Sequence, residues 1–329
     1  MKILVTGGLG FIGCNFIRNY LNNHSSDEIF NVDKLGVGSN IQSLRDLEKD
    51  ENYKYIKMDI TDENVDKIVN KCDIVINFAA ETHVDRSISD PKLFIRNNIM
   101  GTFNLLEIER KMDNGVKHIQ VSTDEVYGDI ISGSFSENDR LKPSNPYSAS
   151  KASSDLICQS FHRTYGMDIK ITRCTNNYGP YQFPEKLIPK TIISSLFNLP
   201  IPIYGTGKNR REWLFVLDHC SAIEMILQKG KPGEIYNISS MDEITNIDLV
   251  SKIIELMGRP QSLITFVEDR PGHDIRYSLT AEKIQNLGWK PAYKLETALQ
   301  ATIDWYLKNE SWWRPLATSA ILSATPWKK

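Results

Sequence analysis

The sequence predicts an α/β fold, a doubly wound parallel sheet with a smaller mixed α/β lobe in its C-terminal half. Three observations predict it. Short β-like runs alternate with helix-like runs through the first half of the chain. A glycine-rich turn, Gly7-Gly8-Leu9-Gly10-Phe11-Ile12-Gly13, joins the first such run to the first helix. An acidic residue, Asp33, closes the second strand.

In chain order, Lys2–Thr6 reads as a buried strand and Phe11–Asn23 has helical spacing. Glu28–Asp33, Tyr53–Met58, Ile74–Phe78 and His118–Ser122 read as further strands, with helices such as Phe94–Lys111 between them. A helix-like segment, Tyr147–Tyr165, begins after Pro146. After Tyr178 the texture changes, with prolines at Pro180, Pro184, Pro189, Pro200 and Pro202. Glu212–Phe215 and Glu234–Ile238 look like short strands flanking a helical Asp218–Gln228. The expected organisation is a nucleotide-binding domain over residues 1–177, to which 211–239 return, and a lobe made mainly of 178–210 and 240–329.

The bulk composition narrows the function classes. Of 329 residues 41% are apolar and 24% charged, which is ordinary for a globular protein. A net charge of −2 offers no basic surface, so no nucleic-acid partner is expected, and an anionic ligand must be met by a local cluster of Arg and Lys. The five cysteines (Cys14, Cys72, Cys158, Cys174, Cys220) are scattered without metal-ligand spacing. That points to reduced thiols in a cytoplasmic protein with no metal. The apolar start breaks at once into glycines and does not make a signal peptide. The segment 187–204 carries Lys190, Ser194, Ser195, Asn198 and three prolines, so no membrane span is expected there.

The glycine turn has the context a dinucleotide site requires. Gly7 permits the tight turn, Gly10 lets a pyrophosphate approach the backbone, and Gly13 lets the helix pack against the strand. The free N–H groups of the helix then hold the pyrophosphate. Asp33 stands where a carboxylate accepts hydrogen bonds from the adenine ribose, which favours NAD over NADP. Lys34 could soften the repulsion of a 2′-phosphate. Asp59 and Ile60 follow the third strand, on the adenine side. The plain alternative is a turn with a surface acid. Strand, loop, helix and acid in register argue for the Rossmann reading.

Tyr147 and Lys151 are four apart, on one face of a helix. A free phenol with a pKa of about 10 is a poor base at neutral pH, and lowering it three units takes roughly 4 kcal/mol. A nearby ammonium and a positive nicotinamide ring are candidate sources. Upstream, Ser122-Thr123-Asp124-Glu125 puts two adjacent carboxylates at the end of a strand, where ligands of such sheets bind. Plain alcohol oxidation has no use for them, whereas elimination of water needs both an acid and a base. Against this stands a simpler use, in which Asp124 and Glu125 only cap the next turn.

This Ser/Thr…Tyr-x-x-x-Lys order after a glycine-rich start resembles the extended short-chain dehydrogenase/reductases. Further blocks resemble the dTDP-glucose 4,6-dehydratase family within them, over nearly the whole chain. They are Ala79-Ala80-Glu81-Thr82-His83-Val84-Asp85-Arg86-Ser87, the run from Asn176 to Leu187, Pro202-Ile203-Tyr204, Arg211-Glu212-Trp213 and Asp269-Arg270-Pro271-Gly272-His273-Asp274. The resemblance implies Tyr147 as base in sugar oxidation, Asp124 as acid and Glu125 as base in dehydration, and Thr123 bonded to the sugar C4 oxygen. It places Phe11, Ile12, Asp33, Lys34, Asp59, Ile60, Phe78, Ala79, Ala80, Glu81, Thr82, Asn97, Tyr147, Lys151 and Asn177 around NAD. It places Thr82, Asn176, Lys186, Leu187, Pro202, Ile203, Tyr204, Arg211, Asn246, Asp269, Arg270, Pro271, Gly272 and His273 around the nucleotide sugar. Arg211, Lys186, Arg270 and Arg276 are the candidate cations for a diphosphate, with Arg276 better read as a surface charge. The family also implies a homodimer joined through helices such as Phe94–Lys111 and Tyr147–Tyr165.

The chain departs from the family pattern at Cys14, in the compact loop Asp129–Pro146 and in Leu35–Asn40, which lacks the tyrosine often found there. The Trp-rich tail Ser311–Lys329 receives no role. A nucleotide-sugar 4-epimerase shares the glycine loop, Thr123, Tyr147 and Lys151 but does not need Asp124 and Glu125. The same residues also leave open a UDP-glucose 4,6-dehydratase and a catalytically silent NAD-binding protein.

Overall fold

A computed structural model of the chain describes residues 1–112 and 115–328. Lys329, the last residue of the expected lobe and tail, lies outside the described residues. Its strands are β1 (Lys2–Thr6), β2 (Glu28–Asp33), β3 (Tyr53–Lys57), β4 (Ile74–Asn77), β5 (Lys117–Thr123), β6 (Ile169–Cys174), β7 (Asn176–Tyr178), β8 (Ile201–Tyr204), β9 (Arg210–Phe215), β10 (Ile235–Ile238), β11 (Glu243–Thr245) and β12 (Ile264–Val267). Seven of them form one sheet in the order β10-β6-β5-β4-β1-β2-β3, and every pairing in it is parallel. Chain order reverses between β1 and β4, and ligands of such sheets bind in the crevice beyond that point.

The local chemistry explains these elements. Ile3, Leu4 and Val5 are fully buried, so β1 reads as a continuous apolar run covered on both faces. One face packs on the helix Phe11–Asn23 through Phe16, Ile17 and Tyr20, and the other on Val65, Ile68 and Leu105. The helix Pro146–Tyr165 begins with Asn145 and Ser148 in a reciprocal capping box and stops at left-handed Gly166.

Two elements named from the sequence take another form in the structure. The expected helix Phe94–Lys111 is three pieces: a short α turn Pro91–Phe94, a π-helical stretch Ile95–Met100 and an α-helix Gly101–Arg110. The wider π turn carries two consecutive asparagines, Asn97 and Asn98, both buried on the inner side. Of residues 211–239, β10 pairs with β6 in the large sheet and the helix Val216–Lys229 joins its core. The strand read at Glu212–Phe215 does not return there: β9 is the centre of a separate three-stranded sheet, β11-β9-β7. It is captured by β7, which leaves the large sheet one residue after β6 ends.

The lobe has its own core, built from Ile188, Ile192, Trp213, Leu249, Leu299 and Tyr306. Trp312 and Trp313 of the tail belong to it, so the first two tryptophans of the tail are packing residues. Among the described residues no helix is long and apolar enough to cross a membrane.

Candidate active site

The C-terminal ends of β1, β2, β4 and β5 open on one cleft. Its walls include all the positions the sequence proposes around the dinucleotide: Gly7, Gly10, Phe11, Ile12, Gly13, Asp33, Lys34, Asp59, Ile60, Phe78–Thr82, Asn97, Tyr147, Lys151 and Asn177. Two glycines are forced. Gly7 has φ +68°, and a Cβ there would stand 2.7 Å from the Ala79 backbone; a Cβ on Gly13 would stand 2.5 Å from the Gly7 carbonyl oxygen. The helix that follows starts at Gly10 with no side-chain cap, so its first N–H groups face the cleft unclaimed. This cradle fits a pyrophosphate.

The Asp33 carboxylate accepts the N–H groups of Leu9 (3.1 Å) and Leu35 (2.8 Å) and the Ser39 hydroxyl (3.0 Å to each oxygen). Burial pushes its pKa up against those hydrogen bonds. Ser39 thus occupies the face of Asp33 that ribose hydroxyls would approach, and must share it. Lys34 turns to Asp59 at 3.4 Å, so its charge already has a carboxylate partner. Across the cleft, Asn98 clamps the loop after β4: its amide oxygen accepts Glu81 N–H (2.8 Å) and its amide nitrogen donates to Glu81 O (3.1 Å). Asn97 donates to the Glu81 side chain at 3.0 Å. The π turn is what lets neighbouring residues serve both ends of Glu81.

Thr123, Asp124 and Glu125 leave β5 in a single 3-10 turn capped by Thr123 Oγ1. That hydroxyl accepts Glu125 N–H (3.3 Å) and donates to Asp124 Oδ1 (3.1 Å). Both carboxylates line the cleft, and Asp124 Oδ2 and Glu125 Oε2 are buried without a hydrogen-bond partner among the described residues. Their environments differ. Asp124 is held well above the usual carboxylate range by burial and then by the charge of Glu125. Glu125 is also raised by burial, but Arg270, Arg211 and Lys186 pull it back. Of the two, Asp124 is therefore the one more strongly favoured to keep a proton.

Tyr147 and Lys151 stand beside this pair. The Lys151 ammonium donates to the Val121 carbonyl at 2.7 Å. Burial, then Glu125, holds the Tyr147 phenol well above its ordinary value, with the Thr123 hydrogen bond opposing. The Lys151 ammonium is turned to the Val121 carbonyl and is not among the main influences on the phenol, which leaves the nicotinamide ring as the other source the sequence reading named.

A second cleft continues from the first, sharing Thr82, Glu125, Asn176, Glu185, Lys186 and Leu187. Pro202, Ile203, Tyr204, Arg211, Asn246, Arg270 and His273 line it as the sequence proposes. Arg211 spends its guanidinium on the carbonyls of Arg210, Ile275 and Asp274 and lies over the Tyr277 ring. Arg270 donates to Asp85 at 2.8 Å and keeps a buried Nε without a partner among the described residues. Lys186 donates to Thr82 O. His273 is pushed down to about 4 by burial and by Arg270, so it is neutral at pH 7. Asp269, Pro271 and Gly272 are not on the wall: they form the exposed turn, with Gly272 at φ +64°, that carries Arg270 and His273 inward. Arg276 lies outside both clefts, paired with Glu243 through two hydrogen bonds.

Sequence reading misses other lining residues. Ser39, Ser122, Cys174 and Trp213 line the first cleft, and Asp85, Lys190 and Tyr277 the second. Asp85 and Trp213 sit inside blocks already singled out. In the sequence Lys190 is only a charge that breaks an apolar run.

The model of the family described as GDP-mannose 4,6 dehydratase matches residues 4–302. A dTDP-glucose 4,6-dehydratase of Streptomyces niveus is 43% identical over 332 residues, covering 99% of this chain and 98% of that protein. The dTDP-glucose 4,6-dehydratase of Escherichia coli is 44% identical, covering 95% and 96%. The chain belongs to the dTDP-glucose 4,6-dehydratase family. A dehydratase of this family from Streptomyces venezuelae, crystallised with NAD bound, superposes with a TM-score of 0.93 at 43% identity, covering 96% of this chain and 100% of that one. A UDP-glucuronic acid 4-epimerase from Bacillus cereus shares the fold at TM-score 0.88 but only 28% identity. In dehydratase terms, the two carboxylates after Thr123 are the feature an epimerase does not need.

Proposed function

We propose that the protein is an NAD-dependent hydro-lyase that converts dTDP-glucose to dTDP-4-keto-6-deoxyglucose. The observation that carries this is the buried Asp124–Glu125 pair, facing the cleft beside Tyr147 with opposed electrostatic settings. The glycine cradle, the uncapped helix and Asp33 would hold NAD, and Arg270, Arg211 and Lys186 would face the substrate diphosphate.

When bound, NAD supplies a hydride acceptor at C4, a hydride donor at C6 and a positive ring near the phenol. Tyr147 takes the C4 hydroxyl proton while Thr123 holds that oxygen. The resulting ketone acidifies the neighbouring C5–H, which Glu125 removes. Asp124, protonated because it is buried, delivers its proton to the C6 hydroxyl, which departs as water. A proton returns to C5 from Glu125 and the C6 centre is reduced. The cofactor ends as it began, which suits a site that keeps it between turnovers. Since burial and the neighbouring carboxylates leave Tyr147 high, its use as a base would depend on the positive ring that bound NAD supplies.

A homodimer is supported by exposed apolar residues on the elements the family uses: Leu93, Ile95, Met100 and Phe103 on one, Leu156 and Tyr165 on the other. A cytoplasmic setting is supported by five free, buried cysteines. The test of the main reading is incubation with dTDP-glucose and weighing of the sugar product. Loss of one water is expected. Unchanged mass with the C4 centre inverted would replace the dehydratase by an epimerase.

A further inference from the structure

The tail left without a role ends against the second cleft. After Trp313 the chain packs Leu316, Ala317 and Leu322 on the lobe core. It then touches three different walls of the cleft from outside. Ser323 offers its carbonyl to Lys190 Nζ at 3.1 Å. Trp327 meets the Tyr204 ring edge-on, with centroids 4.6 Å apart and planes at 79°. Residues 326–328 lie against the helix Val84–Ser89, whose Val84 and Asp85 line the cleft.

These contacts reach the charged centre of the cleft by a short relay. Tyr204 donates its hydroxyl to Asp85 Oδ2 at 3.3 Å, and Arg270 donates to Asp85 Oδ1 at 2.8 Å. Asp85 is thus shared by the residue Trp327 braces and by a guanidinium of the same cleft wall. Lys190 is the other fastening point. It is buried on the cleft wall, 6% exposed, yet the tail carbonyl takes only one of its three donors. A strap that only covered hydrophobic surface would not need to end on a lysine and a tyrosine of the ligand wall.

We infer that residues 318–328 are a strap that holds the nucleotide-sugar cleft in its binding shape, with Lys190 and Trp327 as positioning residues. Trp327 fixes Tyr204, whose hydroxyl bonds Asp85 on the same wall. Lys190 ties the strap to the helix Leu187–Leu196 and itself lines the cleft. Neither residue touches the acid–base pair, so the strap acts on binding of the diphosphate nucleotide and not on proton transfer. The identity of that ligand rests on the function proposed above.

The test uses the full-length holoenzyme and two readouts. The variants are Trp327→Ala and Lys190→Met, with Trp327→Phe and Lys190→Arg as conservative controls. The first readout is binding of dTDP alone by calorimetry, and the second is KM and kcat for dTDP-glucose. Each disruptive variant is expected to weaken dTDP binding and raise KM about tenfold, the scale of one lost aromatic contact. kcat should stay within about twofold and NAD content should not change, and the two conservative variants should restore binding. Unchanged dTDP affinity in both disruptive variants overturns the strap. So does a joint fall in kcat, NAD content and melting temperature, which marks a purely structural tail. If the wild type binds dTDP but does not turn over dTDP-glucose, the dehydratase reading falls, and the affinity ratio still decides the strap.

Discussion

Asp124→Asn isolates the acid from the base. Asp124 is held well above the usual carboxylate range, by burial first and by the charge of Glu125 second, which favours its neutral form. Asparagine is its neutral isostere. It keeps an oxygen for the Thr123 hydroxyl that now reaches Oδ1 at 3.1 Å, and it adds no charge beside Glu125. What it cannot do is give up a proton to a leaving hydroxyl. Loss of a general acid is worth about 10²–10⁴ in rate, or roughly 3–5 kcal/mol of barrier. The Glu125 step precedes that loss and should survive.

The assay follows both events in one tube. In D2O, the variant should wash deuterium into the C5 position of dTDP-glucose while forming the dehydrated product at least about a hundredfold more slowly than the wild type. Stability gives a second, independent reading. A carboxyl whose folded pKa lies above its unfolded value contributes stability that is present below the unfolded pKa, about 4, and lost as pH rises through the folded one. Asparagine has no such loss. The variant should therefore match the wild type near pH 4 and gain in relative melting temperature as pH rises toward neutrality. Wild-type water loss by Asp124→Asn would refute the acid role. Loss of C5 exchange along with water loss would refute the division of labour between the two carboxylates.

Gly13→Ala should lose bound NAD, because the new Cβ would sit 2.5 Å from Gly7 O and 2.8 Å from Gly8 Cα and so deform the cradle; absorbance of the released nucleotide reads it, and the overpacking should lower stability by about 1–3 kcal/mol. Glu125→Gln should keep NAD but stop C5 exchange and water loss together, measured in the same D2O assay. In the core, burial opposes a charge on His118 and is the largest single influence, yet Glu109, bonded at 2.9 Å, and Cys158 together outweigh it and the imidazole is pushed up to about 10. That pair stabilises fully below about pH 6.5 and loses its contribution as pH rises through about 10, so the wild-type melting temperature should fall over that window. Glu109→Gln, which strands a buried imidazole, should cost about 3–5 kcal/mol at neutral pH in urea melts. dTDP should displace substrate better than dUDP by a factor set by one methyl, about 1–3 kcal/mol, in a competition assay.

The legible parts of this chain are those where one residue type has one physical use. Apolar runs ended by glycine or aspartate gave β1, β2 and the first helix at their observed bounds. The cofactor wall was legible for the same reason: glycines at a close approach and an acid at a strand end. The sixth strand of the chain was not. Ile169–Cys174 carries Lys170 and Arg173 inside it, which break the apolar pattern. Both are buried, because Asp168 pairs with Lys170 and Asp155 accepts from Arg173 Nε at 2.9 Å. Those partners lie outside the strand, and no periodicity within it announces them. The π turn escaped in the same way, since Asn97 and Asn98 are inward only if the helix widens by a residue. Lys190 escaped because its meaning depends on Ser323, 133 positions away.

The carboxylate pair shows how far adjacency in sequence underdetermines chemistry. Asp124 and Glu125 share a strand end and a 3-10 turn, and either could be named acid or base from the sequence. What separates them is reach. The shorter side chain stays under Thr123, enclosed, where Arg211 pulls its charge back less than burial and Glu125 push it up. The longer one extends to the junction of the two clefts, where Arg270, Arg211 and Lys186 converge. Two of those cations come from β9 and from the turn after β12, both in the part of the chain that carries the lobe. The setting of Glu125 is therefore eased by cations from the part of the chain that carries the lobe, and that of Asp124 is raised by burial at the end of the sheet. Exchanging them, as Asp124→Glu with Glu125→Asp, should leave the charge count intact and still abolish water loss, since each carboxyl would then stand in the other's field.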